Sequence, residues 1–213
     1  DLHDALAKYG IKLIVYVSSH FDQNPAEAKA FAFDREDPRK SESYLRWQAV
    51  IREYSMRWGD RVSGWWIDGC HRPNTYFRHP DIPNFGSMAA ALRAGNPESC
   101  VAFNPGRFQR ILSITPDEDY TAGEINYPDQ IKFRKNADGF IDGSQIHILT
   151  YLGSTWGQGD PRFTEEEIVA YSLGINREGG AVTWDVPPMR DGTLSDDFME
   201  QLVTIGQALD TIE

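Results

Sequence analysis

The sequence has few cysteines and few basic residues, and it contains no long apolar run. Its 213 residues include two cysteines and 21 Lys and Arg against 32 Asp and Glu, which gives a formal charge of −11. Nucleic-acid binding draws most of its affinity from Lys and Arg that neutralise phosphates, so this balance argues against a nucleic-acid partner. No stretch approaches the roughly 20 consecutive apolar residues of a membrane span, and we expect no membrane partner.

Motifs of metal and nucleotide sites are also lacking. The five histidines are scattered, and none forms a ligand pair at helical spacing with a carboxylate partner. No Gly-rich phosphate loop or dinucleotide fingerprint follows the first apolar segment. We therefore expect neither a metal nor another cofactor.

The two cysteines are expected to be free thiols. Cys70 follows one apolar run and Cys100 begins the next, so in adjacent parallel strands they would lie at opposite ends of the sheet. Five residues at about 3.3 Å each would separate them by roughly 15 Å. A disulfide requires Cα atoms within about 7 Å of each other.

Short apolar runs that are rich in β-branched and aromatic residues predict buried strands of a parallel sheet. They are Lys12–Ser19, Gly64–Asp68, Cys100–Asn104, Gln145–Tyr151 and Ala181–Val186, with a weaker piece at Tyr120–Ile125. Helical patterns lie between them, over Glu42–Trp58, over Ser87–Arg93, after a capping box at Thr164 and Glu167, and after a cap at Ser195. The alternation predicts βαβ units, and about six units would make an α/β fold of the (β/α)8 TIM-barrel type that is two strands short.

The start of the chain has the pattern of the second half of a helix. In Asp1–Gly10 the apolar residues share one face before Gly10 ends the helix. A domain seldom opens in the middle of an element, so we expect that residues upstream have been removed.

Polar residues follow the predicted strands at the positions where parallel α/β folds carry their active sites. Asp68 and Glu124 are two carboxylates at such positions, and aromatic, His and Arg residues accompany them. A carboxylate pair in an aromatic-lined site suits glycoside hydrolysis, where one group attacks or stabilises the anomeric carbon and the other donates a proton. Acidic residues at strand ends also serve other reactions, so the pattern alone leaves the reaction open.

Segments over nearly the whole chain resemble the α-L-fucosidases of the retaining glycoside hydrolase family 29. They are YGIKLIVYVSSHFD (Tyr9–Asp22), the helix and strand ending in WWIDG (Trp47–Gly69), TAGEINYP (Thr121–Pro128) and the closing section Ser154–Asp210. The residues Trp66-Ile67-Asp68-Gly69 stand where the family usually has WFDG. The order of the segments is that of the family.

The resemblance implies a retaining exo-glycosidase that removes terminal α-L-fucose, with residues 1–213 forming part of its catalytic barrel. Asp68 matches the nucleophile, and Glu124 is the best match for the acid/base, with Glu118 and Asp119 as rivals. The substrate-binding residues implied by the resemblance are Tyr16, His20, Arg107 and Trp156. A carbohydrate, a fucosylated glycan, is the implied partner. The habit of the family implies a secreted, periplasmic or lysosomal location.

Two departures from the family leave alternatives open. The opening section, with a histidine-tryptophan-glycine strand and a second strand bearing paired histidines, is absent, in agreement with a count two strands short. The last predicted strand has the sequence Thr183-Trp184-Asp185-Val186-Pro187, where the family has a sequence of the Leu-Leu-Asn-Ile-Gly-Pro type. This difference indicates a divergent branch of the family. The chain could be a non-catalytic carbohydrate-binding relative. It could also need an oligomer partner or a missing N-terminal segment to complete the barrel.

Five further residues have a structural interpretation beside a functional one. His71 and His147 are expected to be structural. Trp65 and Trp66 point to opposite faces of their strand, so at least one of them packs in the core. Asp185 lies in an apolar strand, where it either holds a neighbour by a hydrogen bond or contacts the ligand.

Overall fold

A computed structural model describes residues 1–21, 23–108, 110–127 and 138–211, apart from the side chain of Tyr76. Two residues of the fucosidase-like segments, Asp22 and Pro128, lie outside this range. The chain divides into two compact units, which are described separately below. The first comprises residues 1–106 and 113–122, and the second comprises residues 107–112 and 123–213.

The first unit is built on a parallel sheet of three strands. Their order is β1 (Ile14–Ser18), β2 (Gly64–Asp68) and β3 (Cys100–Phe103). The helices are α1 (Leu2–Ala7), α2 (Pro25–Ala30), α3 (Ser41–Trp58), α4 (Pro73–Tyr76) and α5 (Phe85–Leu92), with a 3-10 turn at Gly59–Arg61. The predicted strand bounds agree with the observed ones to within two residues.

One face of this sheet is buried by aromatic and aliphatic packing. Trp65 and Ile67 of β2 pair in register with Val101 and Phe103 of β3, and all four are almost fully buried. The ring of Trp58 in α3 stacks on Trp65, with centroids 6.0 Å apart. On the opposite face Trp66 and Ala102 are buried as well, and polar side chains stand at its carboxyl end, at Asp68 and Asn104.

The second unit contains the remaining strands and two long helices. An antiparallel pair, β4 (Phe140–Ile141) and β5 (Ser144–Gln145), precedes a parallel pair, β6 (His147–Tyr151) and β7 (Ala181–Asp185). The helices are α6 (Glu165–Arg177) and α7 (Asp196–Leu209), which pack on each other. A core of isoleucines lies around β6, and a second core of Leu152, Ile168, Phe198 and Ile205 joins the helices.

The two predicted helix caps have different outcomes. Thr164 accepts a hydrogen bond from the amide of Glu167, whose carboxylate accepts from the amide of Thr164, so the capping box is confirmed. Ser195 occupies the N-cap position of α7 as predicted, but its side chain makes no capping hydrogen bond with the described residues. Asp196 and Asp197 stand in the first turn instead, where their charge complements the helix dipole.

The weak strand predicted at Tyr120–Ile125 is reduced to isolated bridge residues at Tyr120 and Glu124. Glu124 pairs with Leu149 of β6, and the amide of Leu149 donates to the carbonyl of Gly123 at 3.0 Å. Gly123 has φ 63°, and an added Cβ would lie 1.9 Å from the carbonyl oxygen of His147. The chain turns in the left-handed region at this point, so a regular strand cannot continue.

The prediction of a mixed α/β fold with parallel strands is confirmed. A (β/α)8 barrel with about six units, and its extent over residues 1–213, stay predictions. Cys70 and Cys100 are both free, as expected, and burial raises the pKa of each thiol. None of the described helices has the length and apolar character needed to cross a membrane.

Candidate active site

Asp68 is placed at its site by the register of the first sheet. It ends β2 opposite Ser18 of β1, and Asn104 follows directly after β3. Because side chains alternate between the faces of a strand, Tyr16 and Trp66 lie two residues back on the same face as Asp68. The sheet therefore collects these side chains at its carboxyl end.

Three donors hold the carboxylate of Asp68. Its Oδ2 accepts a hydrogen bond from the hydroxyl of Tyr16 at 2.8 Å. Its Oδ1 accepts from the side-chain amide of Asn104 at 2.9 Å and from the backbone amide of Gly69 at 2.8 Å. Each carboxylate oxygen has two acceptor positions. With the described residues, Oδ1 fills both positions and Oδ2 fills one, so one position on Oδ2 is open to a ligand.

The donors are themselves fixed. Asn104 is fully buried, and its side-chain oxygen accepts from the amide of Gly106 at 3.1 Å, which determines how its amide group is turned. The ring of Tyr16 stacks on Trp66 at 5.5 Å, with 20° between the planes. Tyr16 is 60% exposed, so this side of the carboxylate is open to a ligand.

The backbone of Asp68 is anchored to the end of β1. The amide and the hydroxyl of Ser19 donate to the carbonyl oxygen of Asp68 at 2.9 and 2.8 Å. The indole of Trp47 in α3 donates to the carbonyl oxygen of Ser18 at 3.0 Å. These bonds limit the movement of the two strand ends relative to each other.

A cavity of about 260 Å³ adjoins Gly69, the residue after Asp68. Ser19, His20 and His71 contribute to its wall. A Cβ added to Gly69 would lie 2.9 Å from two ring atoms of His20, so only glycine lets the imidazole approach the backbone this closely. The rings of His20 and His71 are 5.3 Å apart, which places His71 at the cavity although it was expected to be structural.

Glu118 and Asp119, the two rivals for the acid/base role, are held by backbone amides of β3. Asp119 accepts from the amide of Val101 at 2.7 Å and pairs with Arg93, so it lies near the amino end of β3, away from the edge that carries Asp68. This position contradicts a role for Asp119 beside Asp68.

Glu118 is 5% exposed and accepts from the amides of Ile114 and Phe103. Burial raises its pKa to about 7, against the lowering effect of these hydrogen bonds. The group is a buried acid within the first unit, and its exposure leaves little access for a sugar.

Glu124 and Arg107 belong to the second unit. Glu124 is partly buried, and the bridge to Leu149 fixes its backbone. Arg107 is exposed, and no hydrogen bond or ion pair joins its guanidinium to the described part of the chain. The separation of the Asp68 and Glu124 carboxyl groups stays a prediction, roughly 5 to 5.5 Å for a retaining pair.

Trp156 is presented on a tight turn of the second unit. Thr155 and Gln158 form an antiparallel bridge around Trp156 and Gly157. The Trp156 ring contacts Tyr151, the last residue of β6, edge to face at 4.9 Å. The Oδ2 of Asp185 accepts from the amide of Gly157 at 2.6 Å. Of the two interpretations of Asp185, the structure shows the hydrogen bond that holds a neighbouring loop.

Arg162 supports the same region and was not singled out by the sequence. Its guanidinium lies 3.7 Å from the centre of the Tyr151 ring. It donates to the carbonyl oxygens of Tyr151 and Asn126 and to the hydroxyl of Thr150. The sequence around Arg162 has no signal for such a role, because its acceptors are two carbonyl oxygens and one hydroxyl of residues 11 to 36 positions away.

The other structural interpretations are confirmed for three residues. His147 is buried, and its Nε2 lies 2.8 Å from the hydroxyl of Thr183. Trp65 and Trp66 are both buried, and the indole of Trp66 donates to the carbonyl oxygen of Ala122. Within the described ranges, no group of three or more His, Cys, Asp or Glu residues could hold a metal ion.

No protein-family model matches this chain, and no curated protein matches it. Solved structures do. An endo-fucoidan hydrolase of glycoside hydrolase family 107, MfFcnA4, has a TM-score of 0.74 at 21% identity, over 99% of this chain and 40% of its own. The α-L-fucosidase AlfC from Lactobacillus casei has a TM-score of 0.63 at 14% identity, over 98% and 63%.

The α-L-fucosidase isoenzyme 1 from Paenibacillus thiaminolyticus has a TM-score of 0.60 at 16% identity, over 99% of this chain and 51% of its own. This chain thus spans between two fifths and two thirds of the lengths of these three hydrolases. A likeness at such identities shows a shared fold.

Proposed function

We propose that this chain carries the nucleophile of a retaining glycoside hydrolase that cleaves α-L-fucosyl linkages. The observation that carries the proposal is the carboxylate of Asp68, which three donors orient at the open end of a parallel sheet. The fucosidase-like segments and the shared fold with fucose-active hydrolases support the choice of sugar.

The reaction proceeds by double displacement. Oδ2 of Asp68 attacks the anomeric carbon, and Glu124 donates a proton to the leaving oxygen, so the glycosidic bond breaks and a covalent glycosyl ester forms. Glu124 then takes a proton from water, the water oxygen attacks the same carbon, and the ester bond to Asp68 breaks. Two inversions give net retention.

The remaining assigned residues bind the sugar. Tyr16 and Trp156 offer aromatic surface to the apolar face of the ring. His20 and Arg107 supply donors for its hydroxyl oxygens. The hydroxyl of Tyr16 also orients the attacking oxygen of Asp68.

The position of the cleaved bond in the glycan defines two candidate activities. Family 29 resemblance favours removal of a terminal fucose. The higher TM-score to an endo-fucoidan hydrolase, 0.74 against 0.63 for a fucosidase, favours cleavage within a fucose chain. Product size distinguishes them, since only the first releases free fucose from the start of the reaction.

The decisive test of the nucleophile is Asp68→Ala with an aryl α-L-fucoside. We expect turnover to be lost and partly restored by azide, which occupies the vacated space and gives the β-fucosyl azide. Asp60→Ala removes an exposed carboxylate of the 3-10 turn and is the matched control. Undiminished turnover in Asp68→Ala would overturn the assignment. A wild-type chain that binds fucose but hydrolyses no aryl glycoside would be the non-catalytic relative instead.

The acid/base is tested separately with Glu124→Gln. Substrates with a poor leaving group need the proton, so their turnover should fall by roughly 100-fold or more. Dinitrophenyl fucoside needs no protonation of its leaving group and should lose far less in the first step. Equal losses for both substrates would assign Glu124 a structural role.

A further inference from the structure

The Gly69 amide is the backbone donor among the three groups that hold the Asp68 carboxylate. It donates to Oδ1 at 2.8 Å. The nitrogen of Gly69 and the carbonyl group of Asp68 belong to one planar peptide group, in which the N–H points away from the carbonyl oxygen. The direction of this donor therefore depends on what holds the carbonyl oxygen of Asp68.

Ser19 holds that carbonyl oxygen with two hydrogen bonds. Its backbone amide donates at 2.9 Å and its hydroxyl donates at 2.8 Å. A backbone carbonyl oxygen has two acceptor positions, and Ser19 fills both. Ser19 is only 1% exposed, so water has little access to replace its hydroxyl. Loss of the hydroxyl would leave one of the two positions without its donor.

Trp47 of α3 holds the next peptide group in the same way. Its indole N–H donates to the carbonyl oxygen of Ser18 at 3.0 Å, and the amide of that peptide group is the one that Ser19 donates to Asp68. The hydrogen bonds thus run in series from the indole through two peptide groups to Oδ1 of Asp68. Hydrogen bonds in such a series polarise and strengthen one another.

The backbone after Gly69 is fixed as well. The amide of Cys70 donates to the carbonyl oxygen of Asn104 at 2.9 Å, and the Cys70 side chain is fully buried. A Cβ added to Gly69 would lie 3.0 Å from the hydroxyl oxygen of Ser19. The peptide group between Asp68 and Gly69 is therefore held on both sides, with close contact to Ser19.

We propose that Ser19 and Trp47 are positioning residues, which orient the Asp68 carboxylate through these two peptide groups. They keep the Gly69 N–H on Oδ1, so that Oδ2 is presented as the attacking oxygen. A small displacement of a reacting group lowers the rate of the chemical step. The effect on catalysis rests on the proposed function, whereas the effect on the Gly69 amide does not.

Hydrogen exchange of the Gly69 amide, followed by NMR, tests the series without any activity. Ser19→Ala and Trp47→Phe each remove one donor, so the exchange rate at Gly69 should rise by about 3-fold to 10-fold. The rate is taken relative to that of the Ile51 amide in α3, which reports general destabilisation. An unchanged relative rate in either variant would overturn the assignment of that residue.

Ser55→Ala is the matched control. Ser55 is 2% exposed, and its hydroxyl donates to the carbonyl oxygen of Leu92, a distant residue of the same unit. Its replacement removes a similar buried bond outside the series. The relative exchange rate at Gly69 should stay as in the wild type, and a rise equal to that in Ser19→Ala would overturn the proposal.

Kinetics with an aryl α-L-fucoside then tests the effect on catalysis. Ser19→Ala should lower kcat by about 3-fold to 10-fold and change KM by less than about 2-fold, because the substrate does not bind to this hydroxyl. Ser55→Ala should keep both constants. A change in KM alone, or an equal loss of kcat in Ser55→Ala, would refute the positioning role. Faster exchange at Gly69 in Ser19→Ala, with no fucoside hydrolysed by the wild type, would keep the effect on the amide and refute the proposed function.

Discussion

Asp68 and Asp185 both end a parallel strand, and yet their carboxylates have different partners. Asp68 receives side-chain donors from both neighbouring chain segments, Tyr16 and Asn104, together with the amide of Gly69. Asp185 accepts from the backbone amide of Gly157 and holds the turn that carries Trp156. An aspartate at a strand end is thus oriented by donors from two neighbouring segments in one unit and supports a loop in the other.

The basic residues near the two strand ends also differ in how far other protein groups bind them. Lys40, Arg72 and two histidines contribute to the wall of the cavity beside Gly69, and the Arg72 guanidinium makes no hydrogen bond or ion pair with the described residues. In the second unit, the Arg162 guanidinium is satisfied by carbonyl and hydroxyl oxygens and stacks on Tyr151. A charged side chain without a protein partner is available to a ligand, whereas one with hydrogen-bond acceptors in the protein stabilises the fold.

The largest expected effect separates the two aspartates. Asp68→Asn should lower kcat for an aryl α-L-fucoside by on the order of 10⁴-fold, because an amide cannot form the glycosyl ester. Asp185→Asn leaves the Gly157 amide an oxygen to bind and should change kcat/KM by less than about 10-fold. Steady-state kinetics of the two isosteric variants measures the contrast. Similar losses in both would remove the distinction.

Two glycines with left-handed backbone test how tightly the second unit is packed. Gly123→Ala puts a Cβ 1.9 Å from the carbonyl oxygen of His147, so we expect a loss of at least about 3 kcal/mol in the free energy of unfolding. Gly192→Ala meets no atom within 4 Å and should lose about 1 kcal/mol from backbone strain alone. Urea denaturation gives both values. Equal losses would mean that β6 moves to accept the new methyl group.

Glu118 should make the stability of the first unit depend on pH. Its pKa of about 7 in the folded chain lies above the ordinary value of 4.5, so the unfolded chain loses the proton first. The stabilising contribution is full below about pH 4.5 and is lost as the pH rises through 7, with a total of roughly 3 kcal/mol. Glu118→Gln should flatten this dependence in urea titrations at pH 5 and pH 8, with Glu98→Gln as an exposed control. An unchanged slope would contradict the raised pKa.

The smallest effect concerns the Tyr16 hydroxyl, which orients the carboxylate of the proposed nucleophile Asp68. Tyr16→Phe removes the donor to Oδ2 of Asp68 and keeps the ring on Trp66. A hydrogen bond to a charged group contributes about 1.5 to 3 kcal/mol, so kcat should fall by about 10-fold to 100-fold. Tyr54→Phe, on the exposed side of α3, is the control. A change in KM with unaltered kcat would assign Tyr16 to sugar binding alone.

Several elements were predictable because local patterns determine them. The apolar run of β2 and the capping box of α6 have short-range causes, and both are found where the sequence predicts them. The predicted strand at Tyr120–Ile125 failed because its interruption depends on a contact of Gly123 with His147, a residue 24 positions later. No pattern within the segment records that contact.

The candidate site was predictable only in part for the same reason. Asp68 and Tyr16 were predictable from the positions of the strand ends and from the segments that resemble the fucosidases. The sequence predicts Asn104 as the last residue of a strand, but its bond to Asp68 depends on the pairing of β2 with β3. Lys40 and Arg72 were not singled out, since positive φ in a non-glycine residue has no sequence signature.

The sequence by itself determined the parallel α/β class, the free cysteines and the place of Asp68 at the end of an apolar strand, since periodicity and local side-chain chemistry decide these features. Only the tertiary structure decided which groups surround that carboxylate. Strand register places Tyr16, Asp68 and Asn104 on one face, and packing of distant loops brings Lys40 and Arg72 to one cavity. Such contacts depend on the spatial arrangement of segments far apart in the chain, which no local pattern encodes.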